Sequence, residues 1–324
     1  MYKLFDAHSD IFEDVDEKRA RGLKNIIRDY HKDKWLAGGC VGGFYPVWVD
    51  PYCEVYSMPV EEQAERIIGH MKEELAVCTD EAVLVTSASE YEEAVSANKH
   101  AIFTGAEGLS FLRGDFGKLD ELYELGMREF SLTWNEANEF AGGAGSAEGL
   151  TDAGRKCVKK IQSMGAILDL AHSSKQTFYD AASIAEGPFM VSHANVSHIC
   201  NHPRNLTDDQ LKIIADSKGM LGISAYSPFL SEYPAKQNVA TLCDHIEYAA
   251  EKMGIECVGL GFDLVDFLDD VGVDESISYV TAGLSSISHA QSIAAELEKR
   301  GFSAADINKV YSENFLSLIE RIIG

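Results

Sequence analysis

Several absences narrow the reading before any motif is considered. No apolar run approaches the ~20 residues that a membrane-spanning helix requires. The opening residues, MYKLFD, enter a strand pattern at once, with no apolar signal-peptide core. Basic residues are scarce: 28 Lys and Arg stand against 52 Asp and Glu, a formal net charge of −24. Such a surface repels phosphate backbones and anionic membranes, so neither nucleic acid nor a membrane is an expected partner. The seven cysteines are odd in number and form no CxxC. That disfavours a disulfide frame and a thiolate zinc site, and it fits a reducing compartment. The cysteines therefore read as buried or incidental thiols. No Pro/Ser-rich linker and no internal repeat divides the chain. At 324 residues it has the length for two domains, but barrels of ~250 residues commonly form one. The expectation is a soluble, cytoplasmic protein with a single domain over 1–324.

What is present is a repeated alternation. Short apolar runs with strand character fall at 3–8, 43–49, 101–105, 129–133, 166–171, 189–192, 220–225 and 257–262. Residues 83–86 add a peripheral ninth. Amphipathic helical periodicity follows at 60–77, 118–125, 152–164, 175–184, 208–217 and 239–253, with Gly126, Gly165 and Gly219 ending helices before the next strand. Near-continuous apolar strands alternating with helices predict a parallel sheet covered on both faces. Eight such units predict an α/β fold of the (β/α)8 TIM-barrel type, with a doubly wound open sheet as the rival. The Gly-rich stretch NEANEFAGGAGSAEG (135–149) reads as a mouth loop or a plain surface excursion. The acidic run 263–275 reads mostly as solvated loop.

Polar residues gather at one recurring place, the C-terminal ends of the apolar runs. The first run ends in Asp6-Ala7-His8-Ser9-Asp10, where a strand period of two would put His8 and Asp10 on one side. The third runs into Glu107, the fifth into His172, the sixth into His193 and the eighth into Asp263. Each alone has a duller explanation: a rim histidine, a helix N-terminal charge or an N-cap aspartate. Five strand ends in register argue for more. In a barrel those ends share one mouth, where barrel enzymes place catalysis. Imidazoles, a His-x-Asp pair and a glutamate suit a divalent metal such as zinc.

These residues carry a resemblance. The chain resembles the membrane (renal) dipeptidase family, zinc dipeptidases among the amidohydrolase-type barrels. The matching stretches are DAHSD (6–10), GGCVGGFYPVWV (38–49), GAEG (105–108), LDLAHSS (168–174), VSHANVSHICNHPRNLTDDQL (191–211), VGLGFD (258–263) and NFL (314–316). They span nearly the whole chain in the family's order, and the SH…PRN segment is the most specific. The resemblance implies a metal-dependent hydrolase cleaving dipeptides with free termini. Its two Zn2+ ions, or other divalent metals, would be held by His8 and Asp10 on one side and His172 and His193 on the other. Glu107 would bridge them, a bridging hydroxide would attack, and Asp263 would move its proton to the leaving amine. Arg204 would grip the substrate carboxylate, for which a planar fork is suited; the competing assignment pairs it with Asp208. His198 and His202 match no ligand position and read as structural. A homodimer is compatible with the sequence, and the small-molecule dipeptide is the expected partner.

Two departures stand out. The family often has a second Asp two residues after the one corresponding to Asp263, where this chain has Val265. Where some members carry a substrate-contacting histidine, this chain has Trp134. An indole has one N–H donor and no basic lone pair, so Asn135 or Asn138 would have to donate instead. Trp134 then lines the substrate pocket or packs beneath its strand. Rival functions are hydrolysis of another amide, a cyclic amide or a lactone, and a catalytically silent metal-binding relative.

Overall fold

The computed structural model describes residues 1–49, 58–267 and 279–324. Nine strands form one parallel sheet: β1 (Leu4–Asp6), β2 (Cys40–Trp48), β3 (Ala82–Leu84), β4 (His100–Glu107), β5 (Met127–Ser131), β6 (Ile167–Asp169), β7 (Met190–Ala194), β8 (Met220–Ile223) and β9 (Val258–Leu260). The order is β1-β2-β4-β5-β6-β7-β8-β9, with β3 pairing only with β4 on the outside. That peripheral strand is the one expected near residue 83. The path never reverses, which removes the doubly wound rival. Its two ends meet where Ala7 N–H donates to Leu260 O at 2.9 Å. The result is a nearly closed eight-stranded barrel with helices outside.

The predicted helices form as Val60–Val77, Leu119–Glu124, Asp152–Ser163, Lys175–Ile184, Asp208–Asp216 and Val239–Met253. Others were not legible, and Ile11–Ala20 shows why. It buries Glu13, Asp14, Asp16 and Lys18 beside Ile11, Phe12 and Val15, so its inward face has no apolar period. Those charges are paired: Asp14 with His31 at 2.8 Å and with Lys18, Asp16 with Arg66 Nε at 3.0 Å and His70 at 2.8 Å. Ala88–Ser96, Gln291–Lys299 and Asn314–Ile322 also complete the outer layer.

The strands carry a vertical gradient. Phe5, Phe103, Ile167, Met190 and Met220 form an apolar floor, sealed by Phe315, Leu318 and Ile319 of the last helix. Phe5 stacks on Phe315 with ring centroids 5.9 Å apart. Phe5, Phe103, Ile167 and Met190 lie before Asp6, Glu107, Asp169 and His193 of the same strands, so following these strands forward leads from grease to chemistry. Between floor and mouth lies a layer of buried carboxylates: Asp6, Glu129 and Asp169. Asp6 accepts N–H bonds from Phe262 (2.9 Å) and His8 (3.3 Å), stitching β1 to the segment after β9. Gly105 is required here, because a Cβ would meet Glu129 O at 2.2 Å and Glu129 Oε2 at 2.3 Å. Six of the seven cysteines are free thiols, five of them buried; Cys53 lies outside the described residues, as does the acidic run from residue 268 onward.

Candidate metal centre

His8 stands two residues beyond β1, Glu107 closes β4, His172 follows β6, His193 lies within β7 and Asp263 follows β9. All five converge on the mouth. Glu107 divides its oxygens: Oε1 lies 2.8 Å from His172 Nε2 and 3.5 Å from His193 Nε2, and Oε2 lies 3.6 Å from His8 Nε2. His8 Nε2 is also 3.6 Å from Asp10 Oδ1. The period-two argument for His8 and Asp10 does not hold, because β1 ends at Asp6. Asp10 instead occupies the cap before helix Ile11–Ala20 (φ −84°), and that turn returns its carboxylate to His8. His8, Glu107 and His193 offer ligand atoms within 4.8 Å of one another, and so do His8, Asp10 and Asp263.

Whether a cation fits is decided by what these atoms lack. His8 Nε2, Asp10 Oδ1 and Glu107 Oε1 are buried without a hydrogen-bond partner, an expensive arrangement unless something else ligates them. Burial and nearby positive charge hold His172 and His193 well below the usual imidazole range, so both keep a free lone pair. Burial pulls His8 down, but Glu107 and Asp10 outweigh it and raise its pKa well above normal. Burial likewise raises Glu107 far up and lifts Asp263 to about 7. Buried carboxylates whose charge is disfavoured without a counter-ion, beside imidazoles with free lone pairs, fit a divalent metal.

His172 (φ 61°) and Asp263 (φ 57°) adopt the left-handed conformation although neither is glycine. Such residues cluster at functional sites, at roughly 1–3 kcal/mol each. Asp263 is held there by its N–H donating to His8 O at 3.2 Å.

His193 owes its position to a break in β7, where the register with β8 shifts between Val191 and Ala194. Ser192 N–H donates to Asp169 Oδ1 at 3.0 Å rather than to a ladder carbonyl. The Ser192 carbonyl turns inward, where a Cβ on Gly222 would approach it to 1.8 Å. Ser192 Oγ is 2.8 Å from His193 Nδ1 and also bonds Asp169, helping hold that buried carboxyl down against desolvation. The hydroxyl thus donates to Asp169 and accepts from Nδ1–H, leaving His193 Nε2 as the ligand atom. Ser192→Ala should weaken divalent-metal affinity about 10- to 100-fold without lowering Tm appreciably. Metal titration by calorimetry checks this, and unchanged affinity would show that the hydroxyl does not orient the ring.

The remaining predicted residues line the same mouth. Asn135 Oδ1 and Arg204 Nη1 lie 2.9 and 2.8 Å from the same His172 Nδ1. One nitrogen cannot donate to the amide and accept from the guanidinium together, so these contacts belong to alternative tautomers. Arg204 does not pair with Asp208, whose carboxylate takes Tyr248 Oη at 2.9 Å and Lys252 at 3.6 Å. Trp134 is half-buried, 5.1 Å from the Trp48 ring and 6.0 Å from His172, at the rim rather than under its strand. Asn138 is spent inside its loop, donating to Leu132 O and accepting from Phe140 and Ala141 N–H. That loop is pinned to the mouth, with Ser174 N–H donating to Gly142 O at 2.9 Å. His198 stacks on Tyr248 at 4.6 Å and His202 packs on Phe229 at 4.7 Å. Sequence reasoning passed over Asp6, Glu129, Asp169 and Ser192. Carboxylates inside apolar runs such as LFD and ILD were a usable signal for the acids; Ser192 offered none.

Parallel strands closed around a His/Glu/Asp cluster at their C-terminal ends define a (β/α)8 barrel with a candidate metal centre. The chain belongs to the membrane dipeptidase family, peptidase family M19, whose model matches residues 1–323. It is 30% identical over 217 residues to an uncharacterized dipeptidase of Schizosaccharomyces pombe, covering 65% of this chain and 51% of that protein. It is 32% identical over 220 residues to the dipeptidase aclJ of Aspergillus oryzae, covering 66% and 50%. The chain thus spans about half the length of these curated relatives. Among solved structures, a metallopeptidase from Rhodobacter sphaeroides, liganded with a phosphinate mimic of the dipeptide L-Ala-D-Ala, matches with a TM-score of 0.87. The match covers 99% of both chains at 22% identity, a likeness of fold. No helix among the described residues is long and apolar enough to cross a membrane.

Proposed function

We propose that residues 1–324 form one barrel domain that hydrolyses dipeptides with free termini, using two divalent ions, zinc in the first instance. His8 and Asp10 would hold one ion, His172 and His193 the other, with Glu107 between. The observation that carries this reading is the division of the Glu107 carboxylate, one oxygen toward His172 and His193 and the other toward His8. Bound divalent ions supply water activation at neutral pH and polarisation of the scissile carbonyl. Asp263, half-buried beside His8 and Asp10 and lifted to about 7, is the group suited to take a proton from water and return it to the leaving amine. Trp134 and Asn135 border the substrate space. A donating Asn138 is not retained, since its amide is already used.

Arg204 is assigned to the substrate's terminal carboxylate. When His172 Nε2 acts as ligand, its Nδ1 carries the proton and donates to Asn135 Oδ1. That tautomer has no lone pair for Arg204, so the guanidinium is released toward the substrate. Burial pushes the Arg204 pKa down only to about 10, leaving it charged at neutral pH. Charge-assisted hydrogen bonds contribute ~1.5–3 kcal/mol. Arg204→Met should therefore cost roughly 10- to 100-fold in kcat/KM for free dipeptides and much less for their C-terminal amides. Kinetics on both substrates with added zinc test the proposal. Equal losses would make Arg204 structural, and no turnover of any dipeptide by the wild-type protein would overturn the function itself.

A further inference from the structure

Behind Arg204 and His172, between the loop after β6 and the loop after β7, a cavity of about 210 Å³ opens outward. It is many times the ~10–15 Å³ that one water requires. Its chemistry runs against the rest of the molecule. Arg204 and Lys175 line it, and none of its walls among the described residues is Asp or Glu, in a chain with 52 acids and 28 bases.

Several of the polar groups around it can donate. Lys175 is exposed, and no ion pair involves it among the described residues. Ser173 Oγ is buried without a partner. His202 Nδ1 accepts the Arg204 backbone N–H at 3.2 Å, which puts the neutral ring's proton on Nε2; burial and Arg204 keep that ring neutral. Thr207 and Asn205, also in the wall, are committed to Gln210 and to the carbonyls of Cys200 and Phe229. With two cations, the free Ser173 hydroxyl and no acid in its wall, the pocket favours an anion.

Its place relative to the metal centre tells which anion. Arg204 Nη1 is 2.8 Å from one nitrogen of the His172 ring, and the other nitrogen is 2.8 Å from Glu107 Oε1. In a dipeptide the scissile carbonyl and the terminal carboxylate are one residue apart, ~3.3–3.6 Å. With the carbonyl at the metals and the carboxylate at Arg204, the second residue's side chain branches on the Arg204 side. His172 and Arg204 also line the cavity, which would receive it there.

Resting on the dipeptidase reading above, we propose that this cavity is the subsite for the second residue's side chain and that it selects an acidic one, aspartate or glutamate. The Lys175 ammonium and the Ser173 and His202 donors would meet the side-chain carboxylate, while Arg204 holds the terminal one. The local cations also offset the net negative field that would otherwise repel a doubly acidic dipeptide.

The test compares alanyl-glutamate, alanyl-glutamine and alanyl-alanine on the zinc-loaded full chain. The wild-type protein should favour alanyl-glutamate over alanyl-glutamine about tenfold in kcat/KM, and salt should erode the preference. Lys175→Met should reduce the preference to threefold or less, and Lys175→Glu should invert it. Both should leave alanyl-alanine within twofold, since Lys175 takes no part in the chemistry. Hydrolysis of all three with glutamate no better than glutamine would overturn the subsite while leaving the dipeptidase reading intact. So would a Lys175→Met variant that slows alanyl-alanine as much as alanyl-glutamate. Hydrolysis of none would overturn the dipeptidase reading and this one with it.

Discussion

Glu107→Gln is expected to lose most of the bound metal and the activity together. Glu107 is 4% exposed, and its two oxygens face separate imidazole sets. A glutamine keeps the shape but removes the negative charge, so two cations would face each other across a neutral amide. Metal Lewis acidity is worth several kcal/mol, and each 1.36 kcal/mol is tenfold in rate. The loss in kcat should be roughly 10³-fold or more. Elemental analysis of purified wild-type protein should approach two divalent ions per chain, and the variant should fall well below one. Because ligand binding stabilises the folded state by mass action, the variant should also lose most of the rise in Tm that zinc gives the wild type. Full dipeptide hydrolysis by wild-type protein after exhaustive chelation would refute the metal chemistry.

The barrel was legible because its strands are buried on both faces. β4 from His100 to Glu107 is buried at every position, and such a strand writes an apolar run into the sequence. The outer helices were legible where their inward faces are greasy: Lys175–Ile184 and Val239–Met253 form within the expected bounds. Ile11–Ala20 was not, since paired charges occupy its buried face, and pairing across some fifty residues leaves no local period. The candidate ligands were visible as polar residues interrupting apolar runs at corresponding ends. The reason for pairing His8 with Asp10 was not visible, because it depends on a helix cap rather than a strand period. What supports His193 was hidden for a similar reason. A register break at Ser192, held by a carboxylate 23 residues away in sequence, is a tertiary fact with no local signature. The cavity behind Arg204 was equally invisible, being assembled from the loops after two different strands.

Asp263→Asn should separate proton transfer from metal binding. The substitution is conservative for the backbone: Asp263 sits at φ 57°, and asparagine tolerates that region about as well as aspartate. It keeps one acceptor oxygen in the same place but cannot take up a proton. General acid–base catalysis contributes roughly 10²–10⁴-fold, so kcat for a small dipeptide should fall by about 10³, or ~4 kcal/mol. KM should change little, because the proposed holders of the substrate are Arg204 and the cavity behind it rather than Asp263. Metal content is the deciding second measurement, since Asp263 offers a carboxylate oxygen within 4.8 Å of those of His8 and Asp10. If the variant retains its metal and still loses activity, Asp263 carries the proton. If activity and metal fall in proportion and excess zinc restores both, Asp263 serves as a ligand to the ion at His8 and Asp10. The proton would then need another carrier: Val265 occupies the position where the family often places a second acid, and Asp266, the next acid along, is exposed and paired with Lys34 at 2.7 Å.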